Sequence, residues 1–246
     1  VLSAKKDEEL APLLLKLVTD RDAGNVAIRG LAQFNHADTV TTLLRHYASL
    51  DTEAQRSAVE TLASRPAWGM ALLDAIEAET VDRIDVSAFT VRQLQSLGSP
   101  RIAKKIEAVW GKVQQTPEDK RKLIAQHKEQ LSSSDLSTAD RALGRVLFEK
   151  RCANCHRLFD AGGTIGPDLT GSQRNNLDYL LENIIAPSAT VSKDFQAQVI
   201  TTTGGRVITG MIVSETETAL TLQTATEQIV VPRVEIDEQI PADVSM

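Results

Sequence analysis

The chain is poor in the residues that most often carry chemistry. Its 246 residues include two cysteines, four histidines, three methionines, two tryptophans and two tyrosines. Two cysteines cannot build a disulfide-stapled scaffold. Few rings (aromatic content 4%) and a net charge of −6 exclude the basic, ring-bearing surface that nucleic acid needs. No run approaches the roughly eighteen apolar residues of a membrane-spanning helix. There is no Ser/His/Asp set, no glycine-rich phosphate loop followed by lysine, and no carboxylate pair placed for acid–base work. Nor is there the apolar core of a secretory leader, since Val1-Leu2-Ser3-Ala4 runs straight into charged residues. What remains, 42% apolar and 24% charged, is the composition of a folded protein. The length suits one large domain or two ordinary ones.

The first half reads as helix after helix. Leu10, Leu13, Leu14, Leu17 and Val18 recur at three- and four-residue spacing and form one apolar stripe. The pattern continues through Val26–Ala32, Val40–Tyr47, Ala54–Ala63, Trp68–Ala78, Val86–Leu97, Pro100–Val113 and Pro117–Leu131. Asp38 and Asp51 stand at N-cap positions, and Pro66 suits a first turn. Trp68, Met70 and Trp110 read as core, and His36 and His46 as loop and surface residues. The segments Asn25–Ala32 and Glu53–Ala63 resemble each other, each with an Arg beside small residues and a closing Leu-Ala. Helical pairs recurring at this scale suggest an α-solenoid of the HEAT type, with an irregular helical bundle as the alternative. Ser132-Ser133-Ser134-Asp135 is a polar boundary, dividing the chain into domains 1–132 and 133–246.

Both cysteines lie in one five-residue run, Cys152-Ala153-Asn154-Cys155-His156. C-x-x-C-H is the attachment signature of c-type haem. Two thiols three positions apart can each add to one vinyl group of a single porphyrin, and the adjacent imidazole can bind the iron axially. A redox dithiol calls for a neighbouring βαβ pattern, whereas an amphipathic helix precedes this motif. A zinc site calls for four thiolate or imidazole ligands, but His36, His46 and His127 stand singly and far upstream. Two buried structural thiols would need no histidine. The pattern predicts one covalent haem c, with Cys152 and Cys155 as thioether residues and His156 as iron ligand.

Charge and periodicity both change in the second half. Residues 1–132 hold 18 basic and 18 acidic side chains, and residues 133–246 hold 9 and 15. Yet Arg141, Arg145, Lys150, Arg151 and Arg157 crowd the cysteine motif, either as a rim for an acidic partner or haem propionates, or as a solvated helix face. Ala142, Leu143, Val146 and Leu147 give the helix before the motif an apolar face. Ala161–Leu169 is a loop, with Gly162 and Gly163 read as turn glycines, and Asn176–Ile185 is helical. Then period two takes over: Phe195–Thr203, Arg206–Val213, Ala219–Gln223 and Ile229–Val231 read as strands, with hairpin turns at Gly204-Gly205 and at 214–218.

From Cys152 to Glu238 the order of C-x-x-C-H, Gly166-Pro167-Asp168-Leu169, Tyr179–Ile185, Ala186-Pro187-Ser188, the strands around Gly204-Gly205 and Leu220-Thr221-Leu222 resembles one family. It is the haem-binding cytochrome c domain of planctomycete and verrucomicrobial proteins, and the resemblance covers nearly all of residues 138–246. The helical half is similar to the HEAT-like region that precedes this domain in large exported proteins. The resemblance implies a mainly α chain with a small β module: a HEAT-like α-solenoid, then a class I cytochrome c-like domain with an antiparallel insertion at about 195–240. It implies an electron-transfer module, not an enzyme in its own right, that serves an attached or partner dehydrogenase in the periplasm or another exported location. It also places Pro167 beside the haem, its carbonyl holding His156.

The distal iron ligand stays open between Met246, which is the ligand or its immediate neighbour, and Met211, which also reads as a core methionine. The missing leader and missing C-terminal helix lead us to expect a processed or shortened chain. Without that helix the Leu143 and Leu147 face would be uncovered, which predicts a homodimer through that patch or a loosened haem site. A protein-interaction scaffold, with haem auxiliary or absent, is the alternative function, and a Cys152–Cys155 dithiol a third.

Overall fold

The computed structural model describes residues 10–133, 138–170, 172–224 and 226–242. Apolar stripes become helices in the expected order: α1 (Leu10–Leu17), α2 (Gly24–Leu31), α3 (Thr39–His46), α4 (Thr52–Leu62), α5 (Pro66–Glu77), α6 (Ala88–Ser96) and α7 (Pro100–Val109). Local chemistry sets several starts. The Asp51 carboxylate accepts the Ala54 N–H at 2.8 Å and Ser87 Oγ accepts that of Thr90 at 3.2 Å, while Pro66 and Pro100 open their helices. Asp38 does not cap α3: its own backbone is helical, and its N–H donates to His36 Nδ1. Helix α7 stops short of Val113, because Gly111 takes a φ of +155° and Gly111–Val113 is extended.

These helices form one compact unit ending at Val113. Within it α2 packs on α4, α3 on α5 and α5 on α7, each on the helix two places along. The two look-alike segments are thus stacked neighbours. Ser57 Oγ donates to Asn25 Oδ1, Thr61 Oγ1 to the Ile28 carbonyl and Arg65 to the Ala32 carbonyl across the seam, while Arg65 Nε is buried without a hydrogen-bond partner. Leu31, Leu43, Leu62, Leu72, Leu94 and Ile102 are fully buried, and at about 1.5–3 kcal/mol each such side chains supply the unit's main stabilisation. Trp68 and Trp110 lie in this core and Met70 packs against it, as expected.

The second unit begins at Gln114, earlier than the 132/133 boundary expected from sequence. The reason is α8 (Glu118–Ser133), which packs on α10 (Leu177–Ile185). Lys128 Nζ lies 2.6 Å from the Asp178 carboxylate, and Thr116 Oγ1 donates to Glu182 at 2.6 Å. Between α8 and α10 come α9 (Arg141–Arg151) and a two-residue hairpin, β1 (Arg157–Leu158) with β2 (Ala161–Gly162).

Five further strands form the antiparallel sheet: β3 (Gln198–Thr202), β4 (Val207–Glu215), β5 (Ala219–Gln223), β6 (Gln228–Pro232) and β7 (Ile236–Pro241), in the order β6-β5-β4-β3-β7. Ile200 faces Ile208, and Leu220 faces Val231, around a small core of their own. The turn at Gly204-Gly205 closes as expected, with Gly205 at φ +79°. Strand β7 escapes sequence reading because its side chains are nearly all exposed and charged residues interrupt its alternation. No helix among the described residues is long and apolar enough to cross a membrane.

Candidate functional site

Asp140 starts α9 by accepting the Leu143 N–H at 2.9 Å, and the helix runs to the cysteine motif. Cys152 is its C-cap, its N–H bonded to the Phe148 carbonyl at 2.8 Å. The motif then turns tightly: the N–H groups of Cys155 and His156 both donate to the Cys152 carbonyl, at 3.1 and 2.9 Å. Both cysteines are unbridged and half-buried.

A glycine-bearing loop wraps this turn. Gly163 N–H donates to the Ala153 carbonyl and Gly166 N–H to the Cys155 carbonyl, both at 2.8 Å. Side chains cannot stand at these contacts. A Cβ on Gly163 would lie 2.2 Å from the Asn154 carbonyl oxygen, and one on Gly162, at φ +113°, 2.2 Å from that of His156. Gly162 and Gly163 are therefore close-approach glycines, not simply the turn glycines of the sequence reading. Gly166 lies against the imidazole itself, where a Cβ would come within 2.6 Å of Cε1, 2.8 Å of Nδ1 and 3.1 Å of Nε2.

His156 Nδ1 lies 2.9 Å from the Pro167 carbonyl oxygen. A carbonyl can only accept, so Nδ1 carries the proton and the Nε2 lone pair is left available. Such second-shell bonds orient metal-binding histidines and raise their basicity. Four sequence-chosen residues, Cys152, Cys155, His156 and Pro167, thus share one small loop structure.

Among the described residues of 138–180, none is buried, and Leu181 is the first. Leu143, Val146 and Leu147 on α9 are 54%, 41% and 52% exposed. Helix, hairpin and loop are hydrogen-bonded together, yet their apolar side chains enclose no protein core. A large, flat, apolar group suits such a frame. Two thiols, an imidazole with a free lone pair and uncovered apolar side chains are the donor set and surroundings that haem c requires.

Met211 stands elsewhere. It lies on β4 opposite Gln223, 9% exposed, and this burial favours the core reading of its side chain. Met246 lies outside the described residues. Of the basic residues near the motif, Arg157 pairs with Asp160 at 2.6 Å, while Arg141, Arg145, Lys150 and Arg151 are exposed. Sequence reasoning missed Thr170, whose Oγ1 accepts the Phe159 N–H at 2.9 Å, and Arg174, whose guanidinium stacks on the Phe159 ring. Neither residue type marks such a contact before the fold is known. No group of three or more His, Cys, Asp and Glu side chains able to hold a bare metal ion occurs among the described residues.

No curated protein matches the chain. Residues 141–217, from the first turn of α9 to just beyond β4, match the family model of cytochrome c, which supports a haem-binding cytochrome c domain here and a haem-based electron-transfer role for it.

Proposed function

We propose that the chain is an exported electron carrier with one haem c bound covalently through Cys152 and Cys155. The hydrogen bond from His156 Nδ1 to the Pro167 carbonyl carries this reading, because it presents Nε2 as a lone-pair donor beside two thiols. When bound, the haem iron supplies a one-electron couple. The chain's own residues do the rest. The thiols anchor the group, and Pro167 and Gly166 orient the imidazole. The electrons come from an attached or separate dehydrogenase. Met246 is the first choice for distal ligand, since Met211 would have to leave the sheet to serve.

The stacking of α2 on α4, α3 on α5 and α5 on α7 supports a HEAT-like solenoid, which would dock the partner. Haem attachment of this kind takes place outside the cytoplasm, so the periplasm is the expected site. The exposed Leu143–Leu147 face would join two copies, and a monomer mass at all concentrations would end that idea.

The deciding experiment is production with cytochrome maturation machinery, followed by intact mass and a reduced-minus-oxidised spectrum. A haem increment that survives denaturation, lost in Cys152→Ala with Cys155→Ala, is expected. A colourless product would leave the scaffold reading, in which residues 1–132 alone capture the partner.

A further inference from the structure

The outer strands of an open antiparallel sheet carry backbone groups on one side that no neighbouring strand meets. Here these strands are β6 and β7. Strand β7 is blunted by charge, since Asp237 and Glu238 stand exposed on it. Strand β6, Gln228-Ile229-Val230-Val231-Pro232, carries no charge. Two bonds at its ends fix which way its backbone groups point. Thr224 N–H donates to the Glu227 carbonyl at 2.9 Å, and Arg233 N–H to the Thr218 carbonyl at 2.8 Å. The register between them is unbroken, so the direction alternates from residue to residue. Ile229 and Val231 turn their backbone groups toward β5, and Gln228, Val230 and Pro232 turn theirs outward. Pro232, which has no N–H, stands where that donor would have pointed away from the sheet, as prolines in outer strands do. Val230, at the centre, is 64% exposed. No described strand pairs with this side of β6.

We infer that β6 pairs antiparallel with β6 of a second copy of this chain, about a two-fold axis through Val230. The flanking charges choose this occupant. A pairing centred on Val230 sets Glu227 of each copy opposite Arg233 of the other, because the two residues lie equally far from the centre. The Glu227 carboxylate is exposed and has no partner among the described residues. Arg233 spends Nε on the Thr216 carbonyl and Nη2 on Glu215, which leaves Nη1 for a second carboxylate. The same register sets Ile229 opposite Val231 of the other copy. Both lie on the core face, across from Leu222 and Leu220, so the half-buried Ile229 gains an apolar neighbour. At the axis Val230 N–H and C=O meet those of their copy. Gln228 N–H meets the Pro232 carbonyl, and the missing Pro232 donor leaves each of these end pairs with a single bond. The net charge of −6 is spread over 246 residues and screened beyond about 8 Å at physiological salt, so the paired ends of the strand outweigh it. A strand pair this short buries less than the roughly 1,200 Å² of a stable interface, so the contact is weak and reversible.

The test is sedimentation of the full chain at physiological salt, from micromolar to millimolar concentration. Wild type is expected to pass from monomer to dimer across this range. Val230→Lys brings two ammonium groups together at the axis and should lower the association constant about tenfold or more, with an unchanged melting temperature because the side chain is exposed. Glu227→Arg and Arg233→Glu each set like charges opposite one another and should associate as poorly. An equimolar mixture of these two variants restores unlike charges at both ends of the strand pair, and dimer should return. A merely structural role for either residue would give no recovery on mixing. Should Arg233→Glu melt early because Glu215 loses its partner, Val230→Lys and Glu227→Arg decide alone. A wild type that stays monomeric throughout overturns the inference. So does undiminished association in Val230→Lys, or a mixture of folded variants no better than its components. Association kept in Val230→Lys but lost in Leu147→Glu would belong to the α9 face instead. None of these results depends on haem, so their failure leaves the electron-carrier reading standing.

Discussion

His156 has two ring nitrogens, and the chain gives Nδ1 to the Pro167 carbonyl. Gly166 makes this arrangement possible by leaving the ring room. In Gly166→Ala the new methyl would meet the imidazole at 2.6 Å, so the ring or the loop must move. We expect a cost of about 1–3 kcal/mol in stability and a shifted midpoint potential in the haem-bearing protein. Gly204→Ala is the control, since its Cβ meets nothing closer than Thr202 Oγ1 at 3.9 Å, and melting and potential should match wild type. A second residue-scale test concerns Tyr47. Burial, then a hydrogen bond to Asp85, push its hydroxyl pKa well above the ordinary 10.0. The fold therefore keeps a proton that the unfolded chain gives up above that value. The stability this group contributes is present below pH 10 and is lost as pH rises further. Tyr47→Phe should cost about 0.5–1.5 kcal/mol near neutrality and lose less stability than wild type above pH 10, as read by denaturant melts.

At the scale of elements, helix α9 illustrates how much of the site is local. Its apolar positions and the motif at its end are contiguous in sequence and were legible, whereas the cap at Asp140 was found only in the structure. Asp140→Ala should cost about 1 kcal/mol and speed hydrogen exchange in α9 amides, while Asp140→Asn should be close to neutral. Strand β7 marks the opposite case. It lies beside β3 through pairs such as Val199 with Ile240, and its existence depends on that distant edge rather than on its own pattern. The Phe159 hairpin is similar. Phe-Asp is no turn signal, and only the register of Arg157 with Gly162 and Leu158 with Ala161 makes it the tip.

At the scale of the whole molecule, the described residues form two separate apolar cores, one in the unit ending at Val113 and one in the sheet. Leu62, fully buried in the first, should cost about 2–5 kcal/mol when replaced by alanine. The haem signature of Leu62→Ala should be unchanged at temperatures where the first unit has melted. Simultaneous loss of both signals would show the two units to be one cooperative body. The sequence alone determined the C-x-x-C-H spacing and the helical first half, because cysteine spacing and helical periodicity act over a few neighbouring residues. Tertiary structure decided that α8 belongs with α10, that Gly166 makes room for the imidazole and that Phe159 is displayed. Those outcomes depend on which distant surfaces meet, and no short window of residues contains both sides of such a contact.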